Sequence, residues 1–165
     1  MEIEKSDRLT ALVALYDMQT TFFNNALEGI SEIDSHKRLD TKANHVAWLT
    51  GSLVEQRFWL VRELGDTEQK QEADTLFRDN RGIQDEITYP SLEVFKKDWK
   101  AITPVLRDAL AQVTDQQLEN KIEMGPGQAF SLFDMITFLI YREANCIGQI
   151  ALWRRLLGYP PMKYM

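Results

Sequence analysis

The chain has 165 residues, 44% hydrophobic and 27% charged, with eight glycines and five prolines. That is enough for one domain with a sizeable core, and it excludes a disordered, collagen-like or linker-rich polypeptide. Nineteen Lys and Arg against 25 Asp and Glu give a formal net charge of −6, and the longest basic run is His36-Lys37-Arg38, so neither duplex nucleic acid nor an anionic membrane is an expected partner.

Cys146 is the single cysteine, which excludes an internal disulfide and suits a reducing compartment. The start Met1-Glu2-Ile3-Glu4-Lys5 has no basic segment leading into an apolar run, which predicts no signal peptide and a cytoplasmic location. No run of about twenty apolar residues is present, so no membrane span is expected.

In chain order, Leu9, Leu12, Val13, Tyr16, Thr20, Phe23, Leu27 and Ile30 recur at steps of three and four, one face of an amphipathic helix. Ser6 is its N-cap candidate, and Gly29 with the polar run 31–40 follows it. A second helix is predicted over 41–64, with Asp40 as N-cap, Gly65 as the stop and Val46, Leu49, Leu53, Leu60 and Leu64 as its stripe. Residues 66–89 are polar, long for a helix–helix connection, and predict one short helix near 72–78. Ser91 opens a third helix whose stripe is Leu92, Phe95, Trp99, Ile102, Leu106, Leu110 and Val113, with Pro104 inside it as an expected kink. Thr114 and Asp115 restart a short turn, and Gly125-Pro126-Gly127 is a breaker. The fourth helix opens on the capping box Ser131-Leu132-Phe133-Asp134 and stops at Gly158; its apolar positions are Leu132, Met135, Phe138, Leu139, Ile147, Ile150 and Trp153. No strand of useful length is predicted. The fold class expected is all-α, a single four-helix-bundle domain over 1–165 with a short extra helix between the second and third helices.

Two segments carry a family resemblance. One is Asn44-His45-Val46-Ala47-Trp48-Leu49-Thr50-Gly51-Ser52-Leu53. The other is Tyr141-Arg142-Glu143-Ala144-Asn145-Cys146-Ile147-Gly148-Gln149-Ile150, followed by Arg154-Arg155-Leu156-Leu157-Gly158. Together they resemble the DinB/YfiT-like four-helix bundles. The resemblance implies a divalent metal held by three histidines, one on the second helix after the motif glycine and an i,i+4 pair on the last. Activities known in that family include S-transfer to low-molecular-weight thiols and maleylpyruvate isomerisation. In this chain the three positions are Ser52, Arg142 and Cys146. None is histidine, and His45 lies seven residues before Ser52, about 10 Å along a helix. The expectation is a protein without a bound metal or other cofactor.

The replacements have their own chemistry. Residues 142 and 146 share a helix face. Cys146 is a possible thiolate ligand, but a guanidinium has no lone pair to give and Ser is a poor ligand for transition metals. Arg142 supports two readings. In one it pairs across the bundle with a carboxylate, Glu55 being the candidate three residues from Ser52. In the other it binds the anionic group of a small molecule. Glu143 points elsewhere. Cys146 reads as a small buried hydrophobe or as a thiol activated by Arg142, with no histidine near it in sequence. Gln149 lies at i+3 from Cys146, beside Gly148, which permits close helix contact. The candidate pocket is therefore Ser52, Glu55, Arg142, Cys146 and Gln149. Its expected use is small-molecule binding or regulation without metal; a transferase-type enzyme using Arg142 and Cys146, or a helical dimerisation protein, are the alternatives. The aromatic content, including the tail Gly158-Tyr159-Pro160-Pro161-Met162-Lys163-Tyr164-Met165, adds the expectation of a homodimer.

Overall fold

The computed structural model describes residues 5–164. Residues 1–4, read above for a leader, and Met165 of the tail lie outside them. Ser6 accepts the Arg8 N–H and caps a 3-10 turn, Asp7–Leu9, that runs into helix α1, Thr10–Leu27. Gly29 then turns the chain at φ +73°, a conformation glycine adopts without a Cβ clash. The polar run after it contains a one-turn helix, α2, Glu32–Ser35, capped by Ser31 accepting from the Asp34 N–H. One turn is too short to display a helical period, so the sequence reads there only as a polar run.

Helix α3 spans Val46–Glu63 and starts later than the sequence predicts. Leu39 and Asp40 lie at φ 48° and 58°, left-handed values unlike the extended backbone of an N-cap or the right-handed interior of a helix. His45 is the actual N-cap: its backbone is extended, and Nδ1 accepts the Trp48 N–H at 3.0 Å. The helix stops at Gly65, φ +106°, as expected. Helix α4, Asp74–Phe77, is the short helix predicted in the excursion. Helix α5, Leu92–Gln112, runs unbroken through Pro104; Ser91 precedes it with extended backbone but makes no side-chain cap bond. Helix α6, Asp115–Leu118, carries a Thr114–Gln117 capping box.

The absence of strand is corrected by a two-stranded antiparallel hairpin, β1 Lys121–Gly125 and β2 Gln128–Ser131, turning through Pro126-Gly127. Nearly every residue in it is at least partly exposed, so no alternation of apolar and polar residues announced it; the turn and the cross-strand ladder order it instead. Helix α7, Leu132–Leu156, begins with the expected Ser131–Asp134 capping box and ends before Gly158, φ +88°. The described residues are thus mostly helical, with four long helices and one small sheet. Among the described residues no helix is long and apolar enough to cross a membrane.

Helix α3 packs on α5 and α7, and α1 packs on α7 and α5. The predicted stripes meet there: Phe23 of α1 stacks on Trp99 of α5 at 3.8 Å, and Leu53, Phe95, Ile102 and Ile150 are fully buried. Each such side chain contributes roughly 1.5–3 kcal/mol by leaving water. Phe138 departs from its stripe and is 53% exposed. Gly51 has a packing role: a Cβ there would lie 2.3 Å from Phe77 Cζ and 2.7 Å from Phe95 Cε1. Gly148 has none of the close contact expected, since an added Cβ meets nothing within 4 Å.

Candidate functional site: an arginine-lined cavity beside α3 and α7

Helical spacing builds the site. Trp48, Ser52, the adjacent pair Glu55 and Gln56, and Trp59 lie three and four residues apart along one side of α3. Met135, Phe138, Leu139 and Arg142 do the same on α7. Phe77 of α4, the segment 78–81 after it, and Glu123 and Met124 of β1 close the other sides, enclosing a cavity of about 460 Å³. That is within the size range of small-molecule sites.

Arg142 projects toward Ser52 as the sequence predicts, but its partners are neutral. Its guanidinium donates to Ser52 Oγ at 2.6 Å and to Gln56 Oε1 at 2.9 Å. Gln56 in turn donates to the Leu139 carbonyl at 2.8 Å, tying the pair of helices together behind the arginine. Among the described residues no carboxylate pairs with Arg142. The carboxylate proposed for it, Glu55, lines the cavity but pairs with Arg62 at 2.8 Å and accepts from Gln71. Its position at i+3 from Ser52 rotates it to the Arg62 side, while Gln56 at i+4 faces Arg142. Burial raises the Glu55 carboxyl above the ordinary range, and Arg62 opposes that rise.

Of the five sequence-derived pocket residues, the cavity gathers Ser52, Glu55 and Arg142. Cys146 lies buried in the core and is not on the cavity wall. Burial pushes its thiol pKa up, against the pull of Arg142, which favours the neutral thiol. Gln149 is exposed and donates to Asn145 Oδ1 at 2.8 Å.

The cavity carries more charge than the sequence suggested. Arg62, Arg78 and Arg81 join Arg142 in its lining, with Glu55, Asp79 and Glu123 as the acidic groups. Arg62 and Arg78 are engaged by Asp74 and Glu55. Arg81 makes only a long contact, 3.4 Å, to the Thr75 carbonyl. Arg78, Asp79, Asn80 and Arg81 belong to the polar excursion and are brought to the cavity by tertiary structure alone; no spacing rule joins them to α7. Gln56 was within reach of the sequence, being one turn from Ser52.

One further cluster was not anticipated. Arg57 and Glu143 are 1% and 2% exposed and pair bidentately at 2.7 and 2.9 Å. Arg57 also donates to Tyr16 Oη at 3.0 Å, Thr103 Oγ1 at 2.8 Å and Thr20 Oγ1 at 3.0 Å, so all five of its N–H groups are used. Its guanidinium lies 3.4 Å above the Trp99 ring centroid. Desolvation raises the Tyr16 phenol pKa well above its ordinary value. Glu143 indeed points away from the Arg142 face, and Arg57 is where it points.

The donor set does not fit the three-histidine metal site that the resemblance implies. Ser52 is bound to a guanidinium, Arg142 brings a fixed positive charge, and Cys146 is buried apart from the cavity wall. Among the described residues no group of three or more His, Cys, Asp or Glu side chains is placed to hold a metal ion. His45 is occupied as the α3 N-cap. Neither a protein-family model nor a curated protein matches this sequence.

Proposed function

We propose that the chain is a DinB-like four-helix bundle that has exchanged the family's metal for an arginine and binds a small anionic molecule in the α3–α7 cavity. One observation carries this reading: the Arg142 guanidinium stands in the wall of a 460 Å³ cavity with neutral partners only. Two of its five N–H groups are committed, which leaves a fork for an anion. The pairing of the four long helices supports the bundle, and the Trp-x-x-Gly segment supports the family, since Gly51 sits where only a glycine fits against Phe77 and Phe95. The neutral, core-facing thiol of Cys146 favours binding over transfer chemistry.

The test is a titration of untagged protein with small carboxylates and inorganic phosphate, followed by the indole N–H resonances of Trp48 and Trp59. At least one anion shifts them in the wild type and leaves them unmoved in Arg142→Gln. Silence toward every anion overturns the reading.

A second copy is the partner we propose for the face made by α1 and α7. Leu15 and Met18 of α1 and Tyr141 and Leu152 of α7 are 43–64% exposed, and a groove of about 250 Å³ lies among Leu15, Met18, Phe22, Gly148 and Tyr164. Apolar surface of this kind is ordinarily covered. Sedimentation is expected to show a dimer at micromolar concentration, weakened by Met18→Glu; monomer alone contradicts it.

A further inference from the structure

We infer that the ligand of the cavity is a monocarboxylate with an aromatic or branched apolar body, seated with its carboxylate inward on Arg142 and its body between Trp48, Phe77, Met135 and Phe138. This rests on the anion-binding reading above and narrows it.

Three observations select the class. First, charge. Arg62 and Arg78 of the lining are engaged by Glu55 and Asp74, which leaves the positive charge of Arg142 in local excess, with no carboxylate partner among the described residues. A single negative charge balances that excess; a phosphate dianion would meet the repulsion of Glu55 and Glu123 without a second unengaged arginine beside Arg142. Arg81 is exposed and contacts the Thr75 carbonyl.

Second, shape of the donor set. The planar guanidinium offers its remaining N–H groups as a fork, which matches the two oxygens of a carboxylate. Its orientation is fixed from behind: Ser52 and Gln56 each hold one terminal nitrogen, and Gln56 is itself held by the Leu139 carbonyl. A preoriented guanidinium loses little rotamer freedom when an anion arrives. The indole N–H of Trp48, another wall residue, is buried and unpartnered among the described residues.

Third, the walls. Part of the wall is apolar and aromatic, made by Trp48, Trp59, Phe77, Met135, Phe138 and Leu139. Phe138 is a helix residue 53% exposed on the cavity side of α7. A free inorganic anion would leave these surfaces unused, whereas an apolar body covers them and gains from their removal from water.

The experiment uses three probes on the untagged full chain by isothermal titration: 4-phenylbutyrate, its uncharged amide 4-phenylbutanamide, and acetate. The inference expects the acid to bind, and both the amide and acetate to bind about tenfold more weakly or worse, one for want of charge and the other for want of body. Arg142→Gln is expected to reduce acid binding to the level of the amide, and Phe138→Ser to weaken the acid while leaving acetate unchanged. Both variants are checked for native near-ultraviolet circular dichroism, and Arg142→Lys, which keeps the charge but not the planar fork, is expected to bind the acid more weakly than wild type; binding as tight as wild type overturns the fork argument. Acetate or phosphate binding as tightly as the acid overturns the monocarboxylate inference and leaves the anion site standing. Amide binding as tightly as the acid overturns the inward carboxylate. No binding of any probe, together with silence toward phosphate, overturns the anion-binding reading itself.

Discussion

Arg57 on α3 and Arg142 on α7 bring the same guanidinium to the contact between two helices and are treated in opposite ways. Arg57 is sealed in the core, with Glu143 supplying the countercharge, Tyr16, Thr20 and Thr103 taking its other protons, and Trp99 lying against its face. Arg142 is half-buried, has two neutral partners and faces a cavity. The first arrangement has no donor left to offer a ligand. The second has donors to spare and no countercharge. A buried charge is tolerated only when compensated, so what distinguishes a structural arginine from a binding one is how completely its hydrogen-bonding capacity is used inside the chain.

The largest effect expected is on the sealed side. Glu143→Leu strands the Arg57 charge and is expected to cost about 3–5 kcal/mol in urea unfolding. The double variant Arg57→Met, Glu143→Leu removes both charges and is expected to recover most of that loss, because an ion pair replaced by apolar side chains of similar volume is often near neutral. A Glu143→Leu protein as stable as wild type would remove the contrast between the two arginines.

Next is the wall that separates core from cavity. Gly51→Ala places a Cβ against Phe77 and Phe95. Overpacking of this kind is expected to cost about 1–3 kcal/mol. Phe77 also lines the cavity, so its displacement is expected to weaken anion binding as well; Gly148→Ala, with open space around it in the middle of α7, serves as the control, expected to gain about 0.5–1 kcal/mol and to leave anion binding unchanged.

The stripes of all four long helices, both helix stops at Gly65 and Gly158, and the Ser131–Asp134 box were legible because helical period and capping chemistry are local. The start of α3 was not. Asp40 is a better cap by type than His45, but the left-handed backbone at Leu39 and Asp40 is imposed by the loop, in which Arg38 bonds Asp85 and the Lys42 and Ala43 carbonyls. At the site, the approach of Arg142 to Ser52 followed from i,i+4 geometry and the family resemblance. Its partner did not. Charge favoured Glu55, whereas rotation about the helix favours Gln56, and Arg62, about two turns further along α3, claims Glu55. The segment 78–81 and the hairpin reach the cavity through long-range packing, which no short window of sequence reports.

A pH effect separates the α3 N-terminus from both arginines. His45 has its pKa lowered from 6.5 to about 4, first by burial and then by the nearby charges of His36 and Arg38. The unfolded chain therefore takes up this proton at higher pH than the folded one. Stability from this group is full above about pH 6.5, falls as pH drops from there toward 4, and levels off below. Protonation also removes the Nδ1 lone pair that accepts the Trp48 N–H, and the loss is expected to accumulate at about 1.4 kcal/mol per pH unit between the two values. His45→Asn keeps a capping oxygen and removes the titration. The difference between the two stability–pH curves should therefore slope only within that window; parallel curves would show that His45 titrates alike in both states.

The smallest stability effect is expected at Arg142, and it is the one that decides what the cavity is for. Were Arg142 paired with a buried carboxylate, Arg142→Ala would strand that partner at a cost of about 3–5 kcal/mol, as at Arg57. Its actual partners are a hydroxyl and an amide oxygen, and the side chain borders an open cavity that water can enter, so the expected cost is about 1 kcal/mol or less. The same variant is expected to lose measurable 4-phenylbutyrate binding. A residue whose removal costs little stability and most of the binding is one held for a ligand rather than for the fold. Urea unfolding and titration on the same preparation read both quantities, and a large stability loss with binding retained would place Arg142 with Arg57 on the structural side.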